Sequence, residues 1–254
     1  MPAPDHRPTP LAGARAAVAF LTLVPVARVD EVGPADVGRG TIYFPLVGAG
    51  VGGVAALVAW AVAHVLPPTI AALAAVAVGA VLTGALHLDG LADTADGYGG
   101  RTRARVLEIM RDHSVGSFGV VAVVLDVGLR TAAVTALMAR PHGLLLLVAA
   151  GALSRSAAAG LGILLPDARG GGGQAAVLGG VAPWRAAVAV AVGVVVAGLC
   201  AGWAGGVAAV GVGAAAVLWA WHCMRRLGGM TGDTLGAASE AGELVVLLTG
   251  AALR

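Results

Sequence analysis

The chain has 254 residues, of which 58% are hydrophobic and only 12% charged, with a mean hydropathy of +0.89. A soluble domain is about 25% charged, so composition excludes one and predicts an all-α, polytopic integral membrane bundle of about six to seven helices in a lipid bilayer. The net charge of +2 comes with 16 basic residues, all arginine, and no basic footprint of the kind that nucleic-acid binding needs.

The N-terminal MPAPDHRPTPLAGAR has prolines and an early acid where a signal peptide has a basic start and an apolar stretch, so no cleavable signal is expected. Residues 11–27 are apolar but interrupted by Arg15 and Pro25, which predicts a surface helix or a partial span. Membrane spans are predicted over 44–66, 69–88, 115–139, 143–165, 184–203 and 206–223, with a shorter one at 236–253. Pro67-Pro68 closes a hairpin between the first two, and AGWAGG (201–206) breaks a run too long for one crossing. The whole chain, 1–254, reads as one membrane-embedded domain, with 1–43 a cytoplasmic or interfacial segment and 44–254 the bundle. Its 40 glycines suit helices packed closely through small residues. Cys200 and Cys223 fall at different depths and predict neither a disulfide nor a metal site.

Arginine placement sets the expected orientation, because short cytoplasmic loops carry the excess of positive charge. Arg7, Arg15, Arg28 and Arg39 precede the first span; Arg101, Arg103, Arg105 and Arg111 lie in the loop 89–114; Arg169, Arg185, Arg225 and Arg226 follow in later connections of the same side. The alternate connections carry only Arg140. The polar motifs HLDGLADTAD (87–96), PDARGGGGQ (166–174) and GGMTGDTLGAASE (228–240) therefore all fall on the expected cytoplasmic face of a cell inner membrane.

In HLDGLADTAD, Asp89, Asp93 and Asp96 stand at i, i+4 and i+7, on one helix face. A single aspartate here reads as a solvated loop or a helix cap, but three stacked anions repel and predict a cation between them. Oxygen-only ligands favour Mg²⁺ or Mn²⁺, which bind a few carboxylates together with substrate phosphates. The arginines that follow, Arg101 and Arg111 among them, match phosphate oxygens, although any cytoplasmic loop is basic. In the last motif, Asp233 and Glu240 could complete a metal shell or hold a sugar hydroxyl, while a plain interhelical loop remains the alternative. Inside the spans, Asp126 and Arg130 at i, i+4 read as a mutually neutralising pair. Arg155 has no local acid and is expected to face a polar cavity or a partner on another helix. His87 and His113 flank the aspartates as candidates for proton transfer or for packing, and His64 and His222 sit at span ends.

HLDGLADTADGYGG followed by IMRDHSVGSFG, with TGDTLGAASE near the C-terminus and AFLTLVPVAR (19–28) and YFPLVGAGVGG (43–53) before them, resembles the cobalamin synthase family over nearly the whole chain. The resemblance implies an Mg²⁺-dependent membrane transferase that joins adenosylcobinamide-GDP to α-ribazole or its 5′-phosphate and releases GMP. The family's aspartate motif falls on Asp89, Asp93 and Asp96, the expected metal ligands, its basic motif on Arg111 and Asp112, and its C-terminal motif on the substrate-binding candidates Thr231, Gly232, Asp233 and Glu240. The chemistry of the residues themselves adds Asp96 as the expected general base, with His87 as the alternative, and Arg101, Arg111 and Arg155 as candidates for the phosphate oxygens. A homo-oligomer is left open. Two other classes stay open on the residues. A CDP-alcohol phosphotransferase shares the start DGxxA, but Asp93 stands where its arginine belongs and its later aspartate pair is missing. A transporter would suit the intramembrane charges, yet no internal repeat is found and the polar motifs gather at one face.

Overall fold

The computed structural model describes residues 10–26, 32–112, 114–171 and 174–253. Arg7, Arg28, His113 and part of the glycine run at 170–173 lie outside them.

The described residues form α1 (Pro10–Leu21), α2 (Pro34–Gly40), α3 (Phe44–Val62), α4 (Pro68–Leu82), α5 (Leu86–Gly97), α6 (Arg103–Ile109), α7 (Ser117–Met138), α8 (Leu145–Leu164), α9 (Gln174–Leu178), α10 (Trp184–Leu227) and α11 (Gly232–Ala252). Among the described residues, five helical stretches are long and apolar enough to cross a membrane: Pro34–Val62, Ser117–Met138, Leu145–Leu164, Trp184–Leu227 and Gly232–Ala252. α4 and α5 would make a sixth only if counted together, and they are bent by 90° to each other. The chain is therefore an all-α polytopic membrane protein. With 12 residues, α1 rises only about 18 Å and is too short to cross.

Several sequence signals act where expected. Pro68 opens α4 at a position where a missing N–H costs nothing, and Pro67 stays extended before it. Gly202 breaks α10 with φ 54° and ψ −130°. The chain reverses there, because a Cβ on Gly205 would lie 2.1 Å from the carbonyl oxygen of Ala197, a residue two turns away along a straight helix. The expectation for 69–88 needs correction. Gly84 (φ 60°) and Ala85 (φ 56°) are both left-handed, so the span ends at Leu82 and the aspartate segment turns across the end of the bundle as α5.

α8 is the central helix, with 83% of its apolar window buried inside the protein. Glycine makes that possible: a Cβ on Gly48 or Gly151 would come within 2.0 Å of the other's carbonyl oxygen, and one on Gly52 within 2.1 Å of that of Leu147. α3 and α8 thus touch backbone to backbone, as small-residue packing in membranes allows. Both cysteines are free.

Candidate active site

The site is built where α5 crosses the first turn of α11. Gly90 lets the helices meet, since a Cβ there would lie 2.8 Å from the Asp233 carbonyl oxygen. The segment GGMTGDT sets the start of α11 residue by residue. Gly228 ends α10 in the left-handed region (φ 72°), and Gly229 packs so tightly that a Cβ would sit 2.2 Å from the Pro166 carbonyl oxygen. Met230 exchanges backbone hydrogen bonds with the 166–168 strand-like turn, donating to Pro166 O and accepting from Ala168 N, both at 2.8 Å. Thr231 is the N-cap: its hydroxyl accepts from Thr234 N at 3.1 Å, and its own N–H donates to Thr234 Oγ1 at 2.8 Å. Fully buried Thr231 is thus committed to the helix start.

This anchoring aims two side chains at the aspartate helix. Asp233 sits in the first turn of α11. Arg169, on the turn held by Asp167, reaches Asp233 at 2.6 Å and the Met110 carbonyl at 3.3 Å. Asp167 fixes that turn by accepting from the N–H groups of Arg169 at 3.1 Å and Gly171 at 2.7 Å. Asp89 is exposed and Asp93 half-buried. Burial first, then the charges of Asp89 and Asp233, push the Asp93 carboxyl up to about 6, while Arg169 acts the other way. Arg169 had no mark in the sequence beyond the glycine run beside it.

Asp96 has a different environment from the other two. Its Oδ2 accepts from Gly116 N at 2.7 Å and its Oδ1 from Gly119 N at 2.9 Å, so it caps α7 from α5. Any Cβ at Gly116 or Gly119 would fall within 2.5 Å of this carboxylate, which accounts for both glycines of VGSFG. Arg101 and Arg111 are exposed near the ends of α6. Gly232 lines a small recess together with Phe20, Phe44, His87 and Arg155.

Glu240 and Arg155 lie deeper, in a charge network within the spans. Arg130 pairs with Glu240 and Glu243 and stands 3.4 Å from Asp126; Arg155 pairs with Glu243 and donates to Ser154 Oγ at 2.9 Å. The Asp126–Arg130 pair predicted from spacing is thus the loosest part of a larger group. Glu243 is the member that spacing alone passed over, although it stands three residues after Glu240 on α11. His87 is buried, its Nδ1 3.5 Å from Arg155 Nη2. A guanidinium only donates, so Nδ1 faces it as an acceptor.

Among the described residues no three His, Cys, Asp or Glu side chains are gathered closely enough to enclose a metal ion. The remaining donors, Asp89, Asp93 and Asp233, form an open carboxylate set with one arginine at the end of a helical bundle.

Fold and site together define a multi-pass membrane protein with a carboxylate and arginine site at the start of α11 and a charge network within the spans. The chain belongs to the cobalamin-5-phosphate synthase family, whose profile matches residues 13–251. It is 42% identical to the adenosylcobinamide-GDP ribazoletransferase of Bradyrhizobium diazoefficiens over 96% of this chain and 95% of that one. Proteins of the same name from Thiobacillus denitrificans (38% identity; 91% of this chain, 92% of that one) and Escherichia coli (39%; 92% and 96%) are also similar. No solved structure matches the chain.

Proposed function

We propose that the chain is an adenosylcobinamide-GDP ribazoletransferase, acting in assembly of the nucleotide loop of cobalamin. It moves the adenosylcobinamide-phosphate group onto α-ribazole or its 5′-phosphate. The observation that carries this is full-length membership of the family, joined to the electrostatic coupling of Asp93 to Asp89 and Asp233 beside Arg169. The site is taken to face the cytoplasm, where the arginine-rich connections belong.

The donor set fits Mg²⁺. Burial together with the neighbouring carboxylates raises Asp93, the ligand atoms are all oxygen, and Mg²⁺ is ordinarily held by one or two carboxylates plus phosphates rather than by a closed protein cage. One or two of Asp89, Asp93 and Asp233 would hold it together with the substrate, and it would neutralise diphosphate charge and the departing GMP. The protein's own residues position the reactants, which is most of what phosphoryl transfer asks of them. The ribazole 3′-hydroxyl attacks the phosphorus bonded to cobinamide, the bond from that phosphorus to the GMP oxygen breaks, and the hydroxyl proton passes to a carboxylate. Asp96 is poorly placed for that acceptor role, since both its oxygens already hold the α7 amides. Arg111, exposed near the aspartates in sequence, would meet the outer phosphate.

The test is to incubate the protein in nanodiscs with adenosylcobinamide-GDP, α-ribazole phosphate and Mg²⁺, following GMP and corrinoid product by chromatography. Product is expected, and its loss with chelator and in Asp89→Asn supports the metal assignment. Absence of product from folded protein sinks the reading.

A further inference from the structure

Arg169 is the arginine whose guanidinium stands among the site carboxylates. The other candidates are engaged or turned away: Arg155 is buried against Glu243, and Arg103 donates to the carbonyls of Leu227 at 2.6 Å and Ala168 at 2.8 Å. Arg101 and Arg111 are exposed. Arg169 bonds one oxygen of Asp233 through Nη2, and its charge acts on Asp93 as well. Its own Nε is buried without a partner. A guanidinium in this place does two things at once. It neutralises the carboxylates that a divalent cation would neutralise, and it presents a planar donor fork that matches phosphate oxygens.

We infer that Arg169 is a substrate-binding residue that occupies the cation's place in the free protein and transfers to the substrate's diphosphate when the cation binds. The inference rests on the proposed diphosphate chemistry of the site. In the free protein Arg169 is paired with Asp233. A cation arriving at Asp233 and a neighbouring aspartate would compete with that pairing and free the guanidinium for the diphosphate. The fixed turn around it, held by the Asp167 carboxylate and the Met230 backbone, keeps the side chain within reach of both positions. Arg169 thus opposes cation binding and favours diphosphate binding, two effects of opposite sign from one side chain.

Those signs make the test. Mn²⁺ affinity is measured by the electron paramagnetic resonance of free Mn²⁺ on wild type, Arg169→Met and Arg169→Lys in nanodiscs, each shown folded by its thermal transition. Inorganic pyrophosphate affinity is then measured at saturating Mn²⁺. Arg169→Met is expected to bind Mn²⁺ roughly tenfold more tightly and pyrophosphate roughly tenfold more weakly, the range typical of coupling between two sites. Arg169→Lys is expected to stay near wild type for Mn²⁺ and to recover only part of the pyrophosphate affinity. Weaker binding of both ligands by Arg169→Met marks a merely structural role and overturns the inference, as does unchanged Mn²⁺ affinity. If wild type and Arg169→Met both fail to bind Mn²⁺, the metal reading and this inference fall together. If wild type binds Mn²⁺ and loses it in Asp89→Asn while Arg169→Met behaves like wild type, only the inference falls.

Discussion

Three aspartates on one helix face hold two kinds of position. Asp93 is half-buried among like charges, and burial first, then those charges, raise its proton affinity from 3.8 to about 6. The native protein then holds a proton between these values that the unfolded chain has released, so stability falls as pH rises through that window. Above it the site carries its full repulsion, which a cation relieves. The rise in melting temperature on adding Mg²⁺ should therefore be larger near pH 7.5 than near pH 5, read by a fluorescence-detected melt; an equal rise at both contradicts the site. Asp96 instead caps α7, and a lost cap costs about 0.5–2 kcal/mol. Asp96→Ala is expected to lower stability by that order with Mn²⁺ affinity largely kept, whereas Asp93→Asn should lose Mn²⁺ affinity with little loss of stability. Calorimetry with both variants separates the two roles.

At the scale of elements, the orientation of α5 is imposed by its neighbours. The corner at Gly84 and Ala85 breaks continuity with α4. Direction is then set by Gly90 against α11, by Asp96 on α7 and by His87 against Arg155 of α8. Arg155 is itself fixed by Glu243 in the network with Arg130 and Glu240. Arg130 lies 13 positions into α7, roughly 20 Å along its axis, where an unpaired charge is costly. Glu243→Gln should therefore destabilise by about 3–5 kcal/mol, since it strands a buried guanidinium. The pair Glu243→Gln with Arg155→Met should recover much of that loss. Denaturation in mild detergent, scored by a gel-filtration profile, checks both, and equal damage by single and double variants would speak against the network.

For the whole molecule, the ends of α8 and α10 and the starts of α7 and α11 share one side, together with α5. Among the described residues Arg140 is the arginine of the far side, and it is engaged there: it donates to the carbonyls of Gly250 and Ala251, each at 2.5 Å, and to that of Leu253. It satisfies the open end of α11 and adds no free positive charge to that face. Reporter fusions after residues near 67, 140 and 202 should report the outside, and fusions near 100 and 170 the cytoplasm. A reversed pattern overturns the proposed orientation.

The sequence by itself determined the membrane class, the hairpins at Pro67-Pro68 and Gly202, and which motifs gather at one end. Apolar length, proline, glycine and arginine bias act locally along the chain, so each leaves a mark where it works. Helical spacing also put Asp89, Asp93 and Asp96 on one face. Only the tertiary structure decided that Asp96 serves α7, that Thr231 is a cap, that Glu240 belongs to the intramembrane network with Glu243, and that Arg169 meets Asp233. Each of those assignments joins helices distant in sequence, and the choice of partner is made by close backbone packing at Gly48, Gly90, Gly151 and Gly229. A chain read residue by residue carries the permission for such contacts, as glycine, but not the address of the partner.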